Sequence, residues 1–490
     1  MHDLFADPAE KPLRPHQQTA IAMLRQSLGP ARKRRPVLQL ATGAGKTRIA
    51  AEIVNMALAK GNAVAFTVPA ISLIDQVVEA FRDVGIGRIN VIQGNHPTRD
   101  PGAKVHVVSV QSLARRDRPD VGMVIADECH IRHKVLTRWM QDEPSKPFIG
   151  LSATPWARGM ADDWDDLLRP VSMQELIDAG YLSPFRVFAP SHPDLTKVRT
   201  KAGDYHERDL SAVMSENRLV ADIVTTWMQR AAGLPTLVFA VDRAHAEKLQ
   251  AQFAAAGVPM GYCDAHVDRV ARRMLFAQMA RGEIAGICNV GTLTTGVDAD
   301  VRCIVLARPT KSEMLFVQMI GRALRPADGK DHALILDHAD NHARLGFVTD
   351  IHHERLLSGA EKPEPTAREK GETTPKECPK CGALRKGREC IACGFVASRV
   401  SEVEPEAGQL VEVKARKERF TPEEKQRWWS EILSVADARG RSRGWASHAY
   451  RDKFGVWPRG LADEPRRPSD DVMGFIKHKD IAFAKRRAAA

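Results

Sequence analysis

Short apolar runs recur through the first two thirds of the chain, and stretches of helical spacing separate them. Residues 37–40, 63–68, 105–110, 121–126 and 148–151 read as strands, with helices over 46–60 and 72–81. The pattern pauses at about 160–215, which is richer in Pro, Asp and charge. It resumes with strands at 236–240, 286–290, 303–306 and 333–336 and helices over 244–256 and 312–324. Neighbouring parallel strands need a helical crossover, so this alternation predicts parallel sheets covered on both faces. Two consecutive α/β units are expected, residues 1–160 and 216–350, joined by a connecting segment at 161–215.

The end of the chain has a different texture. Residues 361–376 are Glu/Lys/Pro/Thr-rich and read as a linker. A cysteine module follows at 377–398, and a basic, Trp-rich, mainly helical region at 420–490. Thr421 suits an N-cap and Pro422 the first helical position. Trp428, Trp429, Trp445 and Trp457 lie among Arg and Lys there. They read as the core of a small domain, with stacking on bases as the alternative.

The 490 residues fit about three domains. The formal charge is +11, and residues 361–490 supply a net +7 of it, with 28 Lys/Arg against 21 Asp/Glu. That favours a polyanionic partner. No apolar run reaches the ~18–20 residues of a membrane span. The first twelve residues are acidic and broken by prolines, unlike a signal peptide. A cytoplasmic protein with no membrane partner is expected.

Residues 40–47, Leu-Ala-Thr-Gly-Ala-Gly-Lys-Thr, lie between a strand and a helix. Glycines there let the backbone N–H groups of Thr42, Gly43, Ala44 and Gly45 turn toward phosphate oxygens, and the helix N-terminus adds positive potential. Lys46 can reach the outer phosphates of ATP, and Thr47 can place its hydroxyl on Mg²⁺. Leu40 stands where the general motif opens with Gly. Downstream, Val124-Ile125-Ala126-Asp127-Glu128-Cys129-His130 ends an apolar strand in two carboxylates. Asp127 can hold Mg²⁺, and Glu128 can polarise the attacking water. In the second unit Gln318, Arg322 and Arg325 are expected on one helix, with the two arginines on one face, able to reach a γ-phosphate from across a cleft.

Cys378, Cys381, Cys390 and Cys393 form C-x₂-C, eight residues, C-x₂-C. Four thiolates on two tight turns suit tetrahedral Zn²⁺, with iron as the alternative. Arg385, Lys386 and Arg388 in the intervening loop suit phosphate contact. Cys129, Cys263, Cys288 and Cys303 sit among apolar neighbours and read as buried thiols.

Together these segments resemble the superfamily 2 helicases of DEAD/DEAH type, over about residues 11–340. Further segments follow that family's order: Leu13-Arg14-Pro15-His16-Gln17-Gln18, Thr67-Val68-Pro69, Ser109-Val110-Gln111-Ser112-Leu113, Ser152-Ala153-Thr154-Pro155, Val238-Phe239-Ala240, and residues 291–298. The resemblance implies two tandem RecA-like domains with ATP between them. It makes Gln17 the adenine reader and places Gly296 and Asp298 at the nucleotide. Asp-Glu-Cys-His and Gln-x-x-Gly-Arg-x-x-Arg depart from the RNA-remodelling branch and point toward DNA, single-stranded or branched, with RNA as the alternative. Motor, linker, four-Cys module and Trp-rich tail in that order resemble the bacterial RadD-like group. This implies a nucleoid-associated role in DNA repair or recombination, with a single-stranded-DNA-binding protein as partner. The motor subunit of a restriction or phage-defence complex is a further alternative.

Overall fold

Near-continuous apolar strands need cover on both faces, and the two large sheets have it. The computed structural model describes residues 12–201, 203–293, 299–361, 375–387, 389–396, 420–454 and 456–488. The chain divides into two compact units, residues 1–399 and 400–490.

The first unit holds two parallel sheets. In the first lie β1 (Pro36–Gln39), β2 (Val64–Val68), β3 (Ile89–Ile92), β4 (Val105–Ser109), β5 (Met123–Asp127), β6 (Phe148–Ser152) and β7 (Asp166–Leu168), in the order β3-β4-β2-β5-β6-β1-β7. The second takes β8 (Phe185–Phe188), skips a short hairpin of β9 (Thr200–Lys201) and β10 (Asp204–Tyr205), and continues with β11 (Thr236–Phe239), β12 (Met260–Cys263), β13 (Gly286–Asn289), β14 (Cys303–Leu306) and β15 (Ala333–Asp337). Its order is β12-β13-β11-β14-β15-β8. Both β7 and β8 fall inside the stretch expected to connect the two units; β7 closes the first sheet beside β1, and β8 edges the second beside β15.

Every residue of β2, β4, β6 and β15 is buried, as strands covered on both faces must be. The covering helices have the matching stripe. In α1 (Pro15–Leu28) Ala20, Ile21 and Leu24 face inward, and in α2 (Lys46–Ala59) Ile49, Ala50, Ile53, Val54 and Ala57 do. In α3 (Ile74–Arg82), Ile74, Val77, Val78 and Phe81 are buried, and Phe81 meets Phe66 of β2 edge-on at 5.3 Å. Burying each such ring contributes about 1.5–3 kcal/mol. One apolar cluster runs from these helices through Leu182 and Val187 to Phe316 and Ile335 of the second sheet, so the two sheets share packing.

In the second unit Thr421 caps the helix Pro422–Ala438, accepting from Glu424 N–H while Glu424 accepts from Thr421 N–H. Trp428, Trp429, Ile432, Tyr450, Val472 and Ile476 are buried together, with Trp429 Nε1 donating to Asp463 at 2.9 Å. Trp428 and Trp429 are therefore core, while Trp457 is 40% exposed under Arg451. No helix among the described residues is long and apolar enough to cross a membrane.

Candidate active site between the two sheets

In open parallel sheets, ligands sit beyond the carboxyl ends of the strands. The loop after β1 turns there on two left-handed glycines, Gly43 (φ +91°) and Gly45 (φ +86°), and Gly45 opens α2. A Cβ on Gly45 would collide with the amide of Gln17. Behind the loop, His16 Nε2 lies 2.9 Å from the Ala44 carbonyl, and Gln17 Nε2 donates to it at 3.4 Å. Gln17 Oε1 accepts from Arg14 N–H at 3.0 Å. Both ends of the Gln17 amide are thus engaged within the protein, bracing the loop.

Two strands away in the same sheet, β5 delivers Asp127. Burial, and then the adjacent Glu128 carboxylate, raise its carboxyl to about 7, against the pull of Lys46. A carboxylate buried in this way suits a cation beside it. Glu128 takes a left-handed φ of +46°, unusual for a residue with a Cβ. Its Oε1 lies 3.9 Å from Lys46 Nζ, and its buried Oε2 has no hydrogen-bond donor among the described residues.

The second sheet supplies the opposite wall. The helix there is Glu313–Gly321, shorter than expected, with Arg322 as its C-cap. Arg325 lies beyond the helix, so the two arginines do not share a helix face; they share a turn. That turn lies against the phosphate loop. A Cβ on Gly321 would stand 3.1 Å from Thr42 Cβ, and one on Gly43 would stand 3.3 Å from Arg325 Cγ. Thr42, Gly43, Gly45, Lys46, Thr47, Asp127, Glu128, Arg322 and Arg325 line one cavity of about 380 Å³. Arg14, from the segment that holds Gln17, also lines it, as do Leu73, Gln76 and Val77, which no sequence motif marked. Gly296 and Asp298 lie outside the described residues.

Gln318 faces the first sheet instead of the cavity. Its Nε2 donates to Thr154 Oγ1 at 3.2 Å and to His130 Nε2 at 3.1 Å. Burial lowers the His130 pKa, and a neutral imidazole leaves Nε2 free to accept. Nδ1 lies 2.8 Å from Ser152 Oγ and 3.4 Å from Glu128 Oε2. One relay thus joins the acidic strand, the Ser-Ala-Thr segment and the second sheet. A separate ion pair also crosses between the sheets: Arg269 of the second pairs with Asp75 of α3, whose other oxygen lies 2.8 Å from His96 Nε2.

Two family profiles match the chain where these walls lie. One described as "Type III restriction enzyme, res subunit" covers residues 10–157, and one described as "Helicase conserved C-terminal domain" covers 217–327. The chain carries the ATP-hydrolysing motor of a superfamily 2 helicase. The motor is 29% identical over 357 residues to IRC3 of Saccharomyces cerevisiae, whose name is that of an ATP-dependent helicase; the match takes 66% of this chain and 51% of that protein. A 51.5 kDa protein of a Lactococcus phage is 26% identical over 374 residues, 73% of this chain and 77% of that one. Among solved structures, the ATP-dependent type ISP restriction-modification enzyme LlaBIII, bound to DNA, shares the fold with a TM-score of 0.51 and 17% identity; the match takes 67% of this chain and 28% of that one. The chain therefore spans about half the length of the yeast relative.

The four cysteines also come together. Cys378 Sγ lies 3.7 Å from Cys393 Sγ, Cys381 Sγ 3.7 Å from Cys390 Sγ, and all four atoms fall within 4.8 Å of one another. Each C-x₂-C closes a similar turn, with Gly382 N–H donating to the Cys378 carbonyl and Gly394 N–H to the Cys390 carbonyl at 2.8 Å. Sulfurs 2.3 Å from the centre of a tetrahedron stand about 3.8 Å apart, so the donor set fits a metal of that geometry. The module rests on the second sheet: Phe188 of β8 packs with the cysteines, and Lys386 pairs with Asp350 at 2.7 Å. Arg385 donates to the Gly387 carbonyl, and Arg388 lies outside the described residues. Cys129, Cys263, Cys288 and Cys303 are buried.

Proposed function

We propose that this motor couples ATP hydrolysis to movement on, or remodelling of, DNA, in repair or recombination. One observation supports it most: the arginine turn of the second sheet lies against the phosphate loop of the first, around a single cavity. On this reading Lys46 and the loop N–H groups hold the phosphates, and Thr47 and Asp127 hold Mg²⁺, which supplies charge neutralisation when bound. Glu128 accepts a proton from the attacking water; its strained backbone aims the carboxylate into the cavity. Arg322 and Arg325 stabilise charge developing on the γ-phosphate. Closure brings the walls together, and Gln318 transmits it to His130 and Thr154.

The basic balance favours a phosphate backbone as track, and the departures from the RNA-remodelling motifs favour DNA. Zn²⁺ is the metal assigned to the four cysteines, because four thiolates with no open position make a structural site. The RadD-like order of segments carries the repair role and the single-stranded-DNA-binding partner. A second reading, motor subunit of a restriction complex, draws on the restriction profile and the LlaBIII fold.

ATPase assays across single-stranded, forked and duplex DNA and RNA, at stated salt, test the proposal. DNA stimulation that disappears in Lys46→Ala is expected. A rate indifferent to nucleic acid overturns the proposal, and stimulation by RNA alone replaces DNA with RNA as the track. Copurification with a nuclease or methylase subunit from the native host selects the restriction reading.

A further inference from the structure

The helix leading to the two arginines stops at Gly321, one residue before the first of them. Carbonyls beyond a helix end lose their helical donors, and leaving one unsatisfied inside a turn is costly. Here two of them are served by one group. Lys330 Nζ donates to the carbonyls of Ala323 at 2.5 Å and Arg325 at 2.7 Å, and to that of Val301 at 2.8 Å. An ammonium has three N–H bonds and no acceptor, so three carbonyls use its whole capacity.

The lysine reaches them because the chain doubles back. Lys330 N–H bonds the Ala327 carbonyl at 3.1 Å, and Gly329 between them is left-handed at φ +67°. Arg302 secures this return by donating to the Asp328 and Gly329 carbonyls at 2.7 and 3.0 Å, while its Nε pairs with Asp300 at 2.8 Å. From the other side, Ser183 donates its N–H to the Leu324 carbonyl at 2.7 Å and its hydroxyl to that of Arg325 at 3.2 Å. The Arg325 main chain is thus held from two directions, and its side chain leaves this anchored point to cross the phosphate loop.

We propose that Lys330 is the positioning residue of the arginine turn: its ammonium ties Ala323 and Arg325 to Val301 and so sets where Arg325 presents its guanidinium. The inference rests on the role proposed above for Arg325. Lys330 is half-buried, and burial first, then Arg302 and Arg325, lower it to about 8, against the attraction of Asp300. Below that pH the ammonium serves all three carbonyls. As pH rises through about 8 the neutral amine keeps two N–H bonds for three acceptors, while Arg302 and Arg325 remain cationic. The rate should therefore carry an alkaline limb that belongs to the turn and not to the phosphate loop.

The test is the DNA-stimulated ATPase of the full chain, followed from below to well above pH 8 for the wild type, Lys330→Arg, Lys330→Met and Arg325→Ala. Wild-type kcat should fall with an apparent pKa near 8. Lys330→Arg should keep most of the rate and lose that limb, because a guanidinium stays protonated. Lys330→Met should lower kcat about 10- to 100-fold, with a smaller change in KM for ATP, the signature of a displaced group. Wild-type kcat in Lys330→Met, or an unmoved limb in Lys330→Arg, overturns the proposal. Full activity in Arg325→Ala defeats the underlying reading instead, so the two failures are separable. If a thermal melt shows that Lys330→Met does not fold, the limb in wild type against Lys330→Arg decides alone.

Discussion

The two walls of the nucleotide cavity are built differently. The first is backbone architecture: a loop between β1 and α2, turned by Gly43 and Gly45, with Asp127 and Glu128 at the end of a strand in the same sheet. One stretch of chain makes its shape, and the sheet holds its two parts in register. The second is a side-chain construction. Arg322 and Arg325 sit on a turn held by Ser183, by Lys330 just beyond it and, at one remove, by Arg302. The difference suggests a division of labour. The first wall binds whether or not the cleft is closed, and the second makes hydrolysis depend on closure.

Substituting each wall should expose that division, and the first should give the larger loss. On the proposed reading, Lys46→Ala removes a charge that would touch nucleotide in the ground state and the transition state alike. Both binding and turnover should fall, with kcat/KM down by roughly 10³-fold or more. Equilibrium binding of a fluorescent ATP analogue beside steady-state ATPase checks it. Arg325→Ala should cost about 10³-fold in kcat while analogue binding stays within severalfold. Loss of binding equal to the loss of turnover would mean that both walls serve the ground state, and the division would fail.

The same contrast explains what could be read from the residues. Glycine, lysine and threonine between an apolar strand and an amphipathic helix specify a phosphate loop locally, and the Asp-Glu pair closes an apolar run. Both are contiguous signals. The helix expected over 312–324 ends at Gly321 because groups outside it relieve the carbonyls after it: Lys330, brought back by the reversal at Gly329, takes those of Ala323 and Arg325, and the distant Ser183 N–H that of Leu324. Nothing within the segment announces them. Met260–Cys263 escaped notice because Met-Gly-Tyr-Cys lacks β-branched residues, though β13 pairs with it throughout. Asp75 and Arg269 meet across 194 positions of chain, beyond any pattern. The four cysteines were legible because two C-x₂-C pairs carry the spacing of a metal-ligand set, and their sulfurs come within 4.8 Å of one another.

Between the walls, Gln318 is the relay. Gln318→Ala removes the donor that Thr154 and His130 share and leaves both walls intact. A loss of about tenfold in DNA-stimulated kcat is expected, of the order that two hydrogen bonds near a charged site contribute, with basal ATPase affected less. A uniform loss in basal and stimulated rates would place Gln318 in the chemistry and not in its coupling to the track.

The smallest effect is expected at the outer edge of the cleft, where Asp75 meets Arg269. Arg269 is 44% exposed there and Asp75 25%, so water and salt screen the pair, and pairs of this kind contribute about 0–1 kcal/mol. Asp75→Asn keeps an acceptor for Arg269 and removes the charge. ATPase should stay within about fivefold of wild type, with the difference narrowing as salt rises, because only the screened part of the attraction is lost. The direction of the change carries the information. A faster basal rate would mean that the pair holds the sheets away from the hydrolytic arrangement and that a DNA phosphate can take over Arg269. A slower one would mean that the second wall needs this surface contact as well as its own buried ties. Two walls joined chiefly by the Gln318 relay and the arginine turn predict neither beyond that small margin.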